Sequence, residues 1–125
     1  MKRGRGPAHC IAALALGLLM SLTMQTAAAA DLKRAEDIVQ GKCFICHGSD
    51  GESSSPLFPR LAGQHAAYTA RQLADYKSGR RKSSAMQPMV QDLGPADFEA
   101  LGRYFETRPV QVHAVDDPGL AQMGR

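Results

Sequence analysis

Three side chains capable of chemistry fall within Cys43-Phe44-Ile45-Cys46-His47. Two thiols three positions apart lie on one helical turn and can each add to a vinyl group of a porphyrin. The next residue, His47, is thereby brought under the iron. C-x-x-C-H is the attachment pattern for covalent haem c. Two other chemistries share part of this spacing. A redox dithiol belongs beside a strand in a βαβ unit, and no run in this chain alternates in the β-branched manner of a strand. A structural zinc takes four ligands, so His65 and His113 would have to supplement Cys43 and Cys46. Haem attachment is the reading that the motif favours.

The second axial ligand separates an electron carrier from an enzyme. A thioether opposite histidine raises the reduction potential and closes the iron to substrates. The candidates are Met86 and Met89, in Ala85-Met86-Gln87-Pro88-Met89, a segment with no clear period that could wrap over the far face of a haem. Met123 lies in the tail and suits the role poorly. Either methionine could instead fill space beside the ring, and His65 or His113 would make a bis-histidine site.

These residues need elements to position them. From Leu32 to Val39 the sequence suits a short helix, with Ala35, Ile38 and Val39 on one face, running on through Gly41 towards the cysteines. Residues 48–63 are rich in Gly, Ser and Pro and read as loop. A second helix is expected from about Gln64 to Lys77, with Tyr68, Gln72 and Tyr76 at spacing four and Gly79 as its stop. Residues 80–93 look irregular. A third helix opens at Pro95, with Asp97 in its first turn and Phe98, Leu101, Gly102 and Phe105 as its buried stripe, and ends before Pro109. Val110 to Arg125 show no periodicity. The expected fold class is all-α, with loops carrying much of the mass.

Met1 to Ala30 read as a secretory signal. Lys2, Arg3 and Arg5 form a positive start, Ile11 to Met24 an apolar run, and Ala27 to Ala30 a small-residue exit. Cleavage is expected near Ala30–Asp31, leaving no membrane span, since a span needs about 20 apolar residues. The signal holds three of the fifteen basic residues and no acidic one, so twelve basic residues remain against twelve acidic. A near-neutral mature chain gives no reason to expect a nucleic-acid partner. Without Cys10, in the signal, the two motif cysteines are all that remain. No disulfide can then staple a domain of about 95 residues, whose core is thin unless a large apolar group adds to it.

The chain resembles a class I cytochrome c, most nearly one haem domain of the dihaem cytochrome c-four type. The resemblance rests on Cys43 to Gly48, Asp50-Gly51, and Phe58-Pro59-Arg60-Leu61-Ala62-Gly63-Gln64. It continues through Tyr68, Gln72-Leu73, Lys77-Ser78-Gly79, Met86-Gln87-Pro88-Met89 and Tyr104-Phe105. It implies a class I cytochrome c fold over residues 31–108, short helices wrapped around one covalent haem. It selects Met86 as the axial ligand, with Met89 as the alternative. The Pro59 carbonyl should accept the Nδ1–H of His47, and Leu61 should pack on the histidine side of the haem. Gly41 should let the first helix cross closely against the last, near Gly102 and Phe105.

The implied function is periplasmic one-electron transfer with transient protein donors and acceptors, not catalysis. The alternatives are a haem subunit of a dehydrogenase or oxidase complex, and a haem c enzyme or sensor with an open sixth site. One departure stands out. The family resembled carries two haem domains, whereas this chain has one C-x-x-C-H, and Asp116 to Arg125 look like the lead-in to a second domain's first helix. Residues 109–125 are expected to be a flexible tail. Lys77, Arg80, Arg81 and Lys82 form a basic cluster before the methionines. It could dock an acidic redox partner or simply be a solvated charge run.

Overall fold

A computed structural model describes residues 28–112 and 118–123. Helix α1 covers residues 28–38 and passes without a break into a π-turn, Val39–Cys43, and then into α2, Phe44–His47. Ala35, Ile38 and Val39 are buried on one face, as their spacing predicts. In the π-turn the Phe44 N–H reaches back to the carbonyl of Val39. That wider turn rotates α2 relative to the buried face of α1.

Helix α3, Ala66–Ser78, stops at Gly79, whose left-handed backbone (φ 76°) lets its N–H close on the Tyr76 carbonyl. Helix α4, Met86–Val90, is short. Helix α5, Pro95–Glu106, starts with Pro95 in its first turn, where a missing N–H costs nothing. Asp97 folds back so that Oδ2 accepts the Gly94 N–H at 2.9 Å. Its other oxygen accepts from Arg34 Nε at 2.9 Å, which ties α1 to the start of α5. Phe98, Leu101, Gly102 and Phe105 are all buried.

Helices α3 and α5 pack against one another, and Gly102 makes their approach possible. A Cβ there would sit 2.4 Å from the Ala66 carbonyl oxygen. Gly41, expected to provide a close crossing, does not. It is exposed, and a Cβ on it would meet nothing within 4 Å. At about 100° per residue, position 41 falls roughly 200° around the helix from Val39, off the face that Ala35, Ile38 and Val39 bury.

Two further segments differ from their expected form. Residues 86–90, which read as irregular, make helix α4. Pro88 is compatible because it lies in the first turn, where backbone N–H groups lack intrahelical acceptors. Ser83 stands in for those acceptors, its hydroxyl taking the Met86 N–H at 3.2 Å. Pro118–Met123 form helix α6 in the region without periodicity. The rest of the expected flexible tail is only partly described. Residues 113–117 and 124–125 lie outside the described set, whereas Val110 and Gln111 are packed and hydrogen-bonded against the loop before α3.

The core is one apolar cluster built from α1, α4 and α5, with Val39, Val90, Leu101 and Phe105 fully buried. Cys43, Leu61, Leu73 and Met86 border it. Among the described residues the regular structure is entirely helical, and no helix there is long and apolar enough to cross a membrane. The expected signal's positive start and apolar run lie outside the described residues.

Candidate functional site

Cys43 ends the π-turn, and Cys46 and His47 lie on α2. Neither thiol is in a disulfide, and both are half-buried. Burial pushes the Cys43 thiol up to about 11, so it stays protonated at neutral pH. Phe44 and Ile45, between the cysteines, face outward and are 44% and 75% exposed.

His47 is buried, and its Nδ1 lies 2.9 Å from the Pro59 carbonyl oxygen. A carbonyl only accepts, so the proton of this bond sits on Nδ1 and the lone pair on Nε2. The Phe58 ring stands edge-on to the imidazole, 6.3 Å between centroids.

The loop that carries Pro59 is closed at its base. The Gly51 carbonyl accepts the N–H groups of Leu61 and Ala62 at 2.8 and 3.2 Å. Gly51 has φ +83°, and a Cβ on it would lie 2.6 Å from the Ala62 nitrogen and 2.8 Å from Phe105 Cδ1. Tyr104 donates its hydroxyl to the Ser49 carbonyl at 2.9 Å, so α5 holds the same loop from its other side. Ser53 Oγ donates to the Cys46 carbonyl at 3.2 Å, joining the loop to α2.

Met86 is half-buried on the apolar cluster that Cys43 and Leu61 also border. Met89 is 41% exposed. The donor set suits a haem held through two thioethers. It offers free thiols one turn apart, a buried imidazole with Nε2 left for a metal, and a thioether beside the same apolar surface.

A family model described as "Cytochrome C oxidase, cbb3-type, subunit III" matches residues 30–105. The chain belongs to this family of class I c-type cytochromes. Cytochrome c4 of Thiocapsa roseopersicina is 39% identical over 94 residues, covering 75% of this chain and 48% of the relative. Cytochrome c-554(548) of Halomonas halodenitrificans is 35% identical over 83 residues, covering 64% of this chain and 99% of that protein. The crystal structure of reduced recombinant cytochrome c4 from Pseudomonas stutzeri superposes with a TM-score of 0.56 at 35% identity, covering 65% of this chain and 50% of that one. This cytochrome thus spans about half the length of the cytochrome c4 relatives it matches. Its cofactor is covalently bound haem c.

The basic cluster of this cytochrome is largely engaged with its own chain. Lys77 Nζ donates to the Leu93 carbonyl. Arg80 pairs with Asp75 at 2.6 Å. Arg81 lies over the Tyr76 ring, 4.7 Å from its centroid, and donates to Gln72 Oε1 at 2.6 Å. These contacts give the cluster a structural role in fastening the end of α3.

His65, weighed as a ligand, precedes the first residue of α3 without a side-chain cap bond, its side chain 89% exposed and 3.7 Å from Glu106. His113 lies outside the described residues. Glu52 escapes a reading of the sequence. One partner, Arg60, lies eight residues away in an irregular loop and the other, the backbone of residue 111, is 59 residues away, so neither leaves a periodic signature.

Proposed function

We propose that this cytochrome is a periplasmic one-electron carrier with His47 and Met86 as its axial ligands. Bound haem c supplies a ferric/ferrous couple that exchanges a single electron. Cys43 and Cys46 hold the porphyrin through thioether bonds. Pro59 keeps the His47 proton on Nδ1 and so directs Nε2 to the iron, and Leu61 packs against the histidine side. Met86 would supply the second ligand and so keep small molecules from the iron. The hydrogen bond from His47 to Pro59 is the observation that carries the reading, because it fixes both tautomer and ring orientation for a metal ligand. Export would begin with the signal over residues 1–30, cleaved near Ala30–Asp31. Arg103 pairs with Asp31 at 2.8 Å and would then hold the new N-terminus on α5. Donor and acceptor proteins would meet an exposed haem edge transiently.

A second reading, a haem subunit seated permanently on a larger oxidoreductase, draws on the exposed apolar residues Ile45 and Leu57, 75% and 83% exposed.

The visible spectrum of the exported protein, made in cells that attach haem c, tests the first reading. Sharp reduced bands that survive acid–acetone extraction are expected, with a far-red thioether band in the oxidised form. That band should vanish in Met86→Ala and persist in Met89→Ala. The reverse result moves the ligand to Met89. Its absence from the wild-type protein overturns methionine ligation and favours an open sixth site.

A further inference from the structure

Glu52 occupies an unusual position for a carboxylate. Its side chain is 9% exposed, and each of its oxygens is used. Oε2 faces Arg60 Nε at 2.9 Å. Oε1 accepts the backbone N–H of Gln111 at 2.8 Å. Charge-assisted bonds of this kind are stronger than neutral ones, and a buried carboxylate that lost either partner would be left poorly satisfied.

The partners matter because of where they lead. The oxygen that accepts the His47 proton belongs to the peptide joining Pro59 to Arg60. Anchoring the Arg60 side chain therefore restrains rotation of the very peptide plane that holds the imidazole. On its other side Glu52 pins the segment after α5. Val110 packs there onto Gly63, so closely that a Cβ on Gly63 (φ +70°) would meet Val110 Cγ2 at 2.4 Å. The Gly63 N–H is bonded to the Phe105 carbonyl at 2.9 Å, which closes the circuit back to α5.

We infer that Glu52 is a positioning residue for His47, acting through Arg60 and the strap over residues 109–112 to fix the Nδ1–H···O=C bond. The inference rests on His47 being an iron ligand. A firm bond at Nδ1 makes the imidazole a better donor through Nε2, which favours ferric iron. Loosening it should raise the reduction potential.

Three variants of the haem-loaded protein test this. Glu52→Gln removes the charge facing Arg60. Gln111→Pro removes the N–H facing Glu52 without changing charge. Arg60→Gln removes the opposite charge and acts from the more exposed partner, so it serves if Glu52→Gln fails to accumulate. Exchange of the His47 Nδ1 proton, followed by NMR, should be about tenfold faster in each, the change expected for losing one hydrogen bond of ordinary net worth. The potential should rise in Gln111→Pro as well as in Glu52→Gln. Wild-type exchange in all three, with a potential that merely tracks the sign of the removed charge, overturns the inference. Failure of the underlying reading looks different. If His47 does not ligate iron, the wild-type protein itself lacks ring signals shifted by iron for His47, whatever happens at Glu52.

Discussion

Gly102 of α5 lies against the backbone of Ala66 in α3, where an added Cβ would stand 2.4 Å from the carbonyl oxygen, 3.0 Å from the carbonyl carbon and 3.1 Å from Cα. All three obstacles are backbone atoms, which no side-chain rotation can move aside. Helix α5 also anchors the loop that carries Pro59, through the Tyr104 hydroxyl and the Phe105 carbonyl. The separation of α3 and α5 is therefore set by the absence of one side chain.

Gly102→Ala should destabilise the haem-loaded protein by about 1–3 kcal/mol, the usual cost of forcing extra volume into a packed contact. Gly41→Ala should instead stabilise by about 0.5–1 kcal/mol, because its site is open and alanine loses less backbone entropy in a helix. Denaturant unfolding of both variants beside the wild type checks the pair. Equal destabilisation would show that the π-turn also needs its glycine.

The Arg34 side chain, with help from the Gly94 N–H, holds the Asp97 carboxyl below its ordinary value of 3.8. A carboxyl lowered on folding stabilises the folded state above the unfolded value and loses that contribution as pH falls through the folded one. Asp97→Asn should cost about 1 kcal/mol at neutral pH, typical of a lost helix-start bond. The gap between variant and wild type should narrow as pH drops from 3.8 downward. Thermal unfolding across that acid range tests it. A gap independent of pH would mean that the carboxylate's charge contributes nothing.

Removing the means of haem attachment tests how much the protein core can do alone. The fully buried large side chains among the described residues are Phe105, Leu101, Val39 and Val90. So small a set leaves a short domain marginal without added apolar surface. Cys43→Ala combined with Cys46→Ala, without haem, should show no cooperative thermal transition by far-ultraviolet circular dichroism. A sharp transition would establish that the chain folds independently of its cofactor.

Elements with dense local signals are legible in the sequence. Helix α5 carries proline at its start, Asp97 in its first turn and an apolar stripe of period 3.6, and it runs where those features put it. Helix α3 ends at Gly79, the residue able to take the left-handed stop. Helix α4 is not legible, because Pro88 reads as a breaker unless the helix is known to start at Met86, and Ser83 decides that start. The basic cluster is exposed as its charges suggest, but its partners within the chain, the Leu93 carbonyl and the Tyr76 ring among them, are chosen by packing and are not legible.

The chemistry of attachment is thus determined by the sequence itself, since Cys43, Cys46 and His47 are neighbours whose spacing is a local fact of helical geometry. The pairing of His47 with Pro59 is implied by resemblance and takes its form from a loop closed at Gly51. Tertiary structure alone decided which glycine carries the tight helix contact, because Gly41 faces open space while Gly102 meets the backbone of Ala66. It also decided that Glu52 should hold both Arg60 and the backbone of residue 111. The second of these partners is 59 residues from Glu52, and only the packed chain brings the two within hydrogen-bond reach. Short-range spacing is written in the residues, whereas long-range contacts depend on the burial that all the elements achieve together.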